Sequence, residues 1–339
     1  MLTEAVILAD NTVRSVNLKQ LLYCFVATIV SSLGSEACGA EGKLKGLAFF
    51  DYYFIATGPD KKENGFMFRR VYLTFDLKWN KTFSGRVRLE AKDAGFGKTS
   101  KMEPFVKHAY LRYRRNRSEI YCGLFGTPTW NVSERIWGYR SISKTMMDLR
   151  KIGSSADLGI GFKCKLDEGG KVNVQFSIGN GSGQAPEVDN GKKLYGLLHL
   201  KPTGTIEATA YLDWESKLEG QDRITLAGML GISGKLFHGG VEGFVRTNKE
   251  STDGSNVQVR GVGAFGSGRI GPRTKAFARL DFYDPSNRVP DDREYLIIAG
   301  IDLMPEKHIH IMPNVVTTVF QTKGVDAIVI PRMTVYFKF

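Results

Sequence analysis

Apolar and polar residues alternate along the chain from Lys43 onward, in stretches of about ten residues. Between residues 70 and 79, the odd positions hold Val, Leu, Phe, Leu and Trp, and the even positions hold Arg, Tyr, Thr, Asp and Lys. The stretches 156–166 and 171–178 repeat this pattern. A period of two indicates β-strands with one apolar face. A soluble β-sandwich has the same period, so the alternation alone does not distinguish it from a membrane barrel.

The lengths of the connections favour a membrane barrel. The alternation predicts sixteen strands, which include 43–57, 65–79, 82–93, 104–114, 118–127 and 326–339. Short links at 80–81, 115–116, 167–170, 202–204 and 305–306 alternate with longer ones at 58–64, 94–103, 182–191, 247–256 and 284–293. Short turns on one rim and long loops on the other are typical of outer-membrane barrels. We therefore predict an all-β fold, a transmembrane antiparallel β-barrel of about 16 strands.

The longest connection, residues 128–153, is the third of the long loops. It contains the segments 133–137 and 143–150, which can form short helices. A loop of this length in a compact barrel is usually functional. We expect it to fold into the barrel as a constriction loop.

Residues 1–40 have the features of an export signal. Arg14 and Lys19 precede the apolar run 21–30, which matches the core of a signal peptide and is too short to span a bilayer. Cleavage after Ala40 would leave a mature barrel of residues 41–339. A buried N-terminal helix is the alternative. After residue 40, no apolar run approaches the roughly 18 residues that a membrane helix needs, which excludes helical spanning.

Composition adds to this picture. The 38 glycines, 11 prolines and 11% aromatic residues suit many strands joined by tight turns. The net charge is +12, but the basic residues are spread along the chain, which argues against a nucleic-acid-binding arm. Of the four cysteines, Cys24 and Cys38 would leave with the signal peptide. Cys122 and Cys164 remain, as a disulfide or as two lipid-facing thiols.

The inner face of the predicted barrel is polar where a soluble barrel would bury a dry core. About sixteen strands enclose a lumen too wide for side chains to fill, which leaves an aqueous channel. Its predicted lining is basic, and the inward acids are Asp76, Glu90 and Asp157. The candidate residues for anion selectivity are Arg70, Arg86, Arg88, Arg112, Arg114, Lys163 and Lys165 on the wall and Arg135, Arg140, Lys144 and Arg150 on the loop. Such an excess favours anions. Alternatively, these cations pair with lumen acids or with lipopolysaccharide phosphates.

The last strand carries a family resemblance. Apolar residues at 333, 335, 337 and 339 alternate with polar ones, and the strand ends on an aromatic residue. Phe337 and Phe339 resemble the signal by which the barrel-assembly machinery recognises outer-membrane proteins. Segments 104–113 and 120–128 resemble the core of the phosphate-selective porin O and P family. The resemblance implies an outer-membrane porin, a homotrimer, that binds phosphate or similar anions through basic residues.

We therefore expect a passive porin in the bacterial outer membrane that admits small anionic or neutral solutes. Its expected partners are outer-membrane lipid, lipopolysaccharide and the barrel-assembly machinery, without nucleic acid, cofactor, metal or catalysis. One alternative is a barrel enzyme such as an outer-membrane phospholipase, which needs a histidine and a serine at adjacent lipid-facing rim positions. His108 and His199 have no obvious partner of this kind. The other alternative is a non-conducting envelope anchor or adhesin.

Overall fold

The computed structural model describes residues 39–93, 101–217, 220–249 and 255–339. These residues form sixteen β-strands in one closed barrel, in which each strand pairs with its neighbours in sequence and β1 pairs with β16. Neighbouring strands run antiparallel, as in the seam of β1 and β16. The predicted fold class is confirmed. The predicted signal peptide lies outside the described residues except for its last two positions, and it stays a prediction.

The strands are β1 (Glu41–Phe54), β2 (Asn64–Lys78), β3 (Phe83–Ala91), β4 (Phe105–Arg115), β5 (Ser118–Phe125), β6 (Asp157–Lys165), β7 (Val172–Gly179) and β8 (Lys193–Leu200). They continue as β9 (Ile206–Glu215), β10 (Arg223–Ser233), β11 (Phe237–Lys249), β12 (Asn256–Gly271), β13 (Thr274–Asp284), β14 (Glu294–Glu306), β15 (Ile309–Phe320) and β16 (Ile328–Lys338). Two short helices, α1 (Asn131–Trp137) and α2 (Met146–Leu149), lie between β5 and β6. Within the described ranges, no helix is long and apolar enough to cross a membrane.

Backbone hydrogen bonds close the barrel between its first and last strands. The register of β1 and β16 runs from Leu47 opposite Lys338 to Tyr53 opposite Arg332. Beyond it, the Gly46 N–H donates to the Phe339 carbonyl at 2.7 Å, and the Phe339 N–H donates to the Gly46 carbonyl at 3.0 Å. A closed barrel leaves no strand edge unpaired, which is the condition for spanning hydrocarbon with strands.

The two rims of the barrel differ in their connections. Short turns at 79–82, 116–117, 166–171, 201–205, 234–236, 272–273 and 307–308 lie on the rim where β1 begins and β16 ends. The opposite rim carries the longer connections, of which 126–156 is the longest. Side chains fix several short turns: Asn80 Oδ1 accepts the N–H groups of Thr82 and Phe83, each at 2.8 Å. Backbone N–H donors of Val172 and Lys171 likewise hold the pKa of Asp167 below its usual range.

The outer face of the barrel is apolar. Alternate side chains such as Leu226, Leu230 and Val262 are more than half exposed. An apolar surface that surrounds the barrel is unfavourable in water and is expected in hydrocarbon. Aromatic rings mark both ends of this face, with Phe83 and Tyr113 5.3 Å apart near the short turns and Phe282 and Tyr295 5.7 Å apart near the long loops.

The two described cysteines also occupy outward positions. Cys122 is exposed and Cys164 is half-buried, and both thiols are free. Cys122 lies opposite Ile160 in the sheet, whereas Cys164 lies opposite Ser118, so the two are offset along the strands. Of the two interpretations from sequence, the structure therefore has separate thiols and no disulfide between these residues.

Candidate functional site

The lumen is the candidate site, and its main feature is the loop of residues 126–156, which we call the inner loop. Its two ends are tied together, because Thr127 Oγ1 donates to the Ser154 carbonyl at 2.5 Å. Helix α1 ends at Gly138, which adopts the left-handed conformation (φ 71°) and donates its N–H to the Glu134 carbonyl at 3.0 Å. Between these points, the inner loop contacts inward side chains of β2, β9, β11, β13, β14 and β16.

Apolar side chains hold the inner loop against one half of the inner wall. Trp137 is 1% exposed, with its ring 5.6 Å from Phe265 and 6.2 Å from Phe277. Tyr139 stacks on Phe277 at 4.3 Å. A second group of loop residues, which includes Met146, packs against strands β8, β9, β11 and β12. The inner loop thus covers the inner face of β8–β15, and we call this half the covered wall.

The composition of the covered wall corrects the expectation of a polar inner face. The inward side chains beneath the loop include Phe265, Phe277, Ile298 and Met312, which belong to one buried apolar cluster. Their strands therefore carry apolar residues on both faces. The expectation of a polar inner face holds on the strands β2–β6. It is wrong for the covered wall, because the inner loop occupies the space where water was predicted.

Buried polar groups add orientation to these apolar contacts. Glu242 of β11 accepts a hydrogen bond from Ser133 Oγ and another from the Met146 N–H at 3.2 Å, so one carboxylate holds both helices. Arg279 of β13 donates to the Lys144 carbonyl at 2.5 Å and pairs with the buried Asp281. A buried charge is stable when it is paired and hydrogen-bonded, and these groups meet that condition.

The middle of the inner loop reaches the strands next to the barrel seam. Arg69 of β2 donates to the Ser141 and Ile142 carbonyls at 3.2 and 3.0 Å. Arg332 of β16 donates to the same Ile142 carbonyl at 3.1 Å. Both guanidinium groups lie within 3.6 Å of the Asp51 carboxylate. This part of the loop is thus fixed by hydrogen bonds from cations.

The inner face of β2–β6 carries charged and aromatic side chains, and we call it the basic wall. Three of its carboxylates each lie within ion-pair distance of two cations. These pairs are Asp76 with Arg86 and Lys45 (2.6 and 2.7 Å), Glu90 with Arg70 and Lys107 (3.0 and 3.2 Å), and Glu119 with Arg114 and, at 3.8 Å, Arg112. These three carboxylates are therefore outnumbered by the Arg and Lys residues that pair with them.

Two further cations of the basic wall form no ion pair with a described carboxylate. Arg88 donates through Nε to Thr74 Oγ1 at 2.8 Å, and its guanidinium lies 5.3 Å from the centre of the Tyr72 ring. Lys163 lies with Nζ 4.9 Å from the centre of the Tyr121 ring. Since neither charge is held in an ion pair, both contribute to the positive potential of the lumen.

The predicted site residues fall into two groups. The structure brings Arg70, Arg86, Arg88, Arg112, Arg114 and Lys163 together on the basic wall, and Lys165 lines a cavity of about 470 Å³ near the short turns. The four loop cations pair with acids instead. Arg140 lies 3.1 Å from Glu134 and Lys144 lies 2.8 Å from Asp148, both within the inner loop.

Arg135 and Arg150 point away from the basic wall. Arg135 pairs with Glu207 of β9, and Arg150 pairs with Glu294 of β14. They therefore connect the inner loop to the covered wall. For these two residues, the alternative that lumen cations pair with lumen acids describes the observed contacts, while their role in selectivity stays a prediction.

Sequence reasoning did not single out Arg69, Lys107 and Arg332. Arg332 has the inward parity of its strand, so the alternation could have identified it. Arg69 precedes the inward Arg70, and both side chains contact lumen residues. The pairing of β3 with β4 shifts register between Arg88 and Leu89, which leaves Lys107 as an extra residue beside His108. A strict period of two misses such irregularities.

The histidines weighed for a barrel enzyme face the lumen. His199 Nε2 lies 2.7 Å from Glu207, and the His108 ring lies 6.2 Å from the Tyr110 ring. Neither occupies the lipid-facing rim position that a phospholipase arrangement requires. Among the described residues, no three His, Cys, Asp or Glu side chains are grouped as metal ligands would be.

Phe337 and Phe339 lie at the end of the barrel seam. Their ring centres are 6.1 Å apart, and Phe339 is 67% exposed. The Phe339 ring lies over Gly46, where an added Cβ atom would come within 2.1 Å of it. Only glycine at position 46 leaves room for this ring. Recognition of these residues by the assembly machinery stays a prediction.

Comparisons with known proteins agree with this fold. No family model matches the chain, and no curated protein matches it. Among solved structures, the chain is similar to an anion-selective porin from Comamonas acidovorans, with a TM-score of 0.63, 13% identity, and 88% of this chain and 100% of that chain covered. It is also similar to the outer-membrane channel DcaP of Acinetobacter baumannii, with a TM-score of 0.65, 15% identity, and 90% and 99% covered.

A trimer form of OmpT, an outer-membrane protein of Vibrio cholerae, has a TM-score of 0.61 and 12% identity to the chain, with 89% and 100% covered. At such low identity, these similarities show a shared fold. The finer resemblance to the phosphate-selective porin O and P family stays a prediction. The chain has the fold of the bacterial outer-membrane porins, and the predicted location in the bacterial outer membrane agrees with it.

Proposed function

We propose that the protein is a passive outer-membrane porin that admits small hydrophilic solutes and prefers anions. One observation carries the proposal. The inner loop packs on apolar clusters and buried, paired charges of β8–β15, which leaves the basic wall to line the passage. On that wall, Arg88 and Lys163 have no ion pair with a described carboxylate.

The physical basis of the preference is the fixed charge of the passage. Charges inside a narrow, low-dielectric channel raise the local concentration of counter-ions and therefore favour the passage of anions. The carboxylates of Asp76, Glu90 and Glu119 are each shared between two cations, so they do not cancel this potential. Phosphate-like solutes are the finer proposal, and it rests on the resemblance of segments 104–113 and 120–128.

The remaining parts of the proposal concern assembly and surroundings. A homotrimer is proposed because the chain shares its fold with a protein of known trimer form. Contact with lipid and lipopolysaccharide is supported by the apolar outer face and its aromatic ends.

We assign Phe337 and Phe339 to recognition by the barrel-assembly machinery, because both are aromatic and lie at the exposed end of β16. Replacing Phe339 by Ser is then expected to lower the amount of barrel inserted in the outer membrane, without lowering its melting temperature.

Planar-bilayer recording of the purified mature protein in a KCl gradient tests the function. We expect stable conductance steps and a zero-current potential of the sign that indicates chloride preference. The double substitution Arg88→Gln and Lys163→Gln should move this potential towards zero. Arg273→Gln, which removes a charge at a short turn, is the matched control. A potassium preference of the native channel would overturn the anion proposal, and absence of conductance would favour the envelope anchor.

A further inference from the structure

Three tyrosines on the basic wall face the lumen from β2, β4 and β5. The rings of Tyr110 and Tyr121 are 5.5 Å apart with a T-shaped geometry. Arg88 lies 5.3 Å from the centre of the Tyr72 ring, and in the sheet it is opposite His108, whose ring is 6.2 Å from the Tyr110 ring. These residues occupy neighbouring inward positions of β2–β6. We call Tyr72, Arg88, Tyr110, Tyr121 and Lys163 the tyrosine track.

The cations of the tyrosine track are those without a described carboxylate partner. Lys163 lies 4.9 Å from the centre of the Tyr121 ring, and Arg88 donates to Thr74 through one nitrogen. A guanidinium or ammonium group beside an aromatic face is attracted to the ring but does not use all of its N–H groups there. Its remaining N–H groups can donate hydrogen bonds to a ligand. The track thus presents positive charge next to ring surface.

Two rings of the tyrosine track, those of Tyr72 and Tyr121, are held in place by their hydroxyl groups. Tyr72 accepts a hydrogen bond from Arg70 at 2.9 Å, and the Tyr121 hydroxyl donates to Glu119. Such bonds fix the orientation of each ring before a ligand arrives, which lowers the entropic cost of binding.

Cavities adjoin both ends of the tyrosine track. A cavity of about 290 Å³ is lined by Tyr72 and Arg88 together with Lys45, Lys338 and Leu47. Its described lining contains no aspartate or glutamate. The cavity of about 470 Å³ near the short turns includes Lys163 in its lining. These volumes are close to those of pockets that hold small molecules.

We propose that the tyrosine track binds aromatic carboxylates in preference to aliphatic carboxylates of the same charge. This rests on the proposed porin function and names a substrate class for it. The carboxylate pairs with Arg88 or Lys163, which supply charge-assisted hydrogen bonds. The ring of the ligand packs edge-to-face or offset against Tyr72 or Tyr110, the geometry that aromatic pairs favour.

Block of the KCl current by added anions tests this proposal. Benzoate, cyclohexanecarboxylate and acetate are each titrated onto the native channel in a planar bilayer. The half-blocking concentration of benzoate is expected to be roughly three- to tenfold lower than that of cyclohexanecarboxylate, the scale of one aromatic contact. Equal half-blocking concentrations for these two anions would overturn the proposal that the tyrosine track prefers aromatic carboxylates.

Substitutions on β4 provide a matched comparison. Tyr110→Leu should reduce the difference between benzoate and cyclohexanecarboxylate, because Tyr72 remains, and Tyr110→Phe should retain the full difference because the ring remains. Tyr113→Leu, on the lipid-facing side of the same strand, is the control and should behave as the native channel. Retention of the full difference in Tyr110→Leu would overturn the role of this residue in the track.

The zero-current potential in a KCl gradient separates this proposal from the porin function. A chloride-preferring native channel that does not discriminate benzoate from cyclohexanecarboxylate overturns the tyrosine track and leaves the porin function intact. A native channel that prefers potassium, or a protein that forms no channel, overturns the proposed function and the tyrosine track with it.

Discussion

The covered wall and the basic wall belong to one barrel, yet the covered wall carries apolar clusters among its buried charges, and the basic wall carries paired charges and tyrosines. The covered wall places Phe265, Phe277 and Ile298 beneath the inner loop. The basic wall places arginine, lysine and tyrosine at the equivalent inward positions. Both walls have the same apolar outer face. The comparison shows that the lipid-facing pattern defines the barrel, while the inward residues decide which part of the lumen is filled and which part lines the passage.

The two walls also differ in what their contacts contribute to stability. Full burial of one large apolar side chain such as Trp137 stabilises by roughly 1.5–3 kcal/mol. Ion pairs that remain in contact with water contribute about 0–1 kcal/mol each. The loop is therefore held mainly by the covered wall. The partly exposed ion pairs of the basic wall, such as that of Asp76 with Arg86, set the potential of the passage at little gain or loss of stability.

The largest effect is expected from loss of the contact between the inner loop and the covered wall. Trp137→Ala should lower the free energy of unfolding by roughly 3–5 kcal/mol, the range for large core truncations. It should also raise the single-channel conductance, because a loosened loop no longer restricts the lumen. Thermal unfolding in detergent and bilayer recording measure the two effects. Leu158→Ala on the outer face is the control, and an unchanged conductance in Trp137→Ala would show that the loop is held by other contacts.

A smaller effect is expected at the carboxylate that joins the two helices. Glu242→Ala leaves the Ser133 hydroxyl and the Met146 N–H without their acceptor, at a cost of about 1–3 kcal/mol. We expect increased current noise as the loop samples more positions. Glu306→Ala, near a short turn, serves as the comparison. Quiet channels and an unchanged melting temperature would contradict the assigned role of Glu242.

Removal of an acid from the basic wall should increase the positive charge of this wall and strengthen the preference of the channel for anions. Asp76→Asn removes a negative charge that Arg86 and Lys45 now share. The ratio of chloride to potassium permeability is expected to rise by roughly two- to fivefold, the equivalent of ~0.4–1 kcal/mol for one charge. The increase should shrink in concentrated salt, where screening is stronger. A decrease of the ratio would contradict the role of the basic wall.

The smallest effect is expected on the outer face. Replacement of Cys122 and Cys164 by Ala should change the free energy of unfolding by no more than about 0.5 kcal/mol, because both thiols are free and lie at outward positions. Conductance and selectivity should remain those of the native channel. Thermal unfolding and bilayer recording check this, and a large loss of stability would contradict the outward placement of the two thiols.

Period-two alternation, together with short links that alternate with long ones, was sufficient to predict the barrel, because every strand needs one apolar face towards lipid and the two rims differ in their connections. The position of the inner loop followed from its length between β5 and β6. The wall on which the inner loop packs could not be predicted from the sequence. Apolar residues at inward positions interrupt the polar face of these strands, but they do not show which segment covers them. The run 295–298 in β14, with four consecutive apolar residues, was the available signal of a strand that is apolar on both faces.

The charges of the site were predicted more completely than their pairing. Alternation identified Arg70, Arg88 and Lys163 as inward residues, and the structure places all three on the basic wall. Ion pairs join residues on different strands, so they depend on the register between strands, which one sequence does not specify. The contacts of Arg135 and Arg150 with distant strands depend in addition on the path of the inner loop.

The location of the passage is tested most directly by thiol accessibility. In a protein with Cys122 and Cys164 replaced by Ala, the substitution Arg88→Cys places a thiol on the basic wall and Leu296→Cys places one on the covered wall. A negatively charged thiol reagent is applied during bilayer recording. We predict a rapid fall in current for Arg88→Cys and an unchanged current for Leu296→Cys. Reaction of the thiol at 296 without reaction at 88 would contradict a passage along the basic wall.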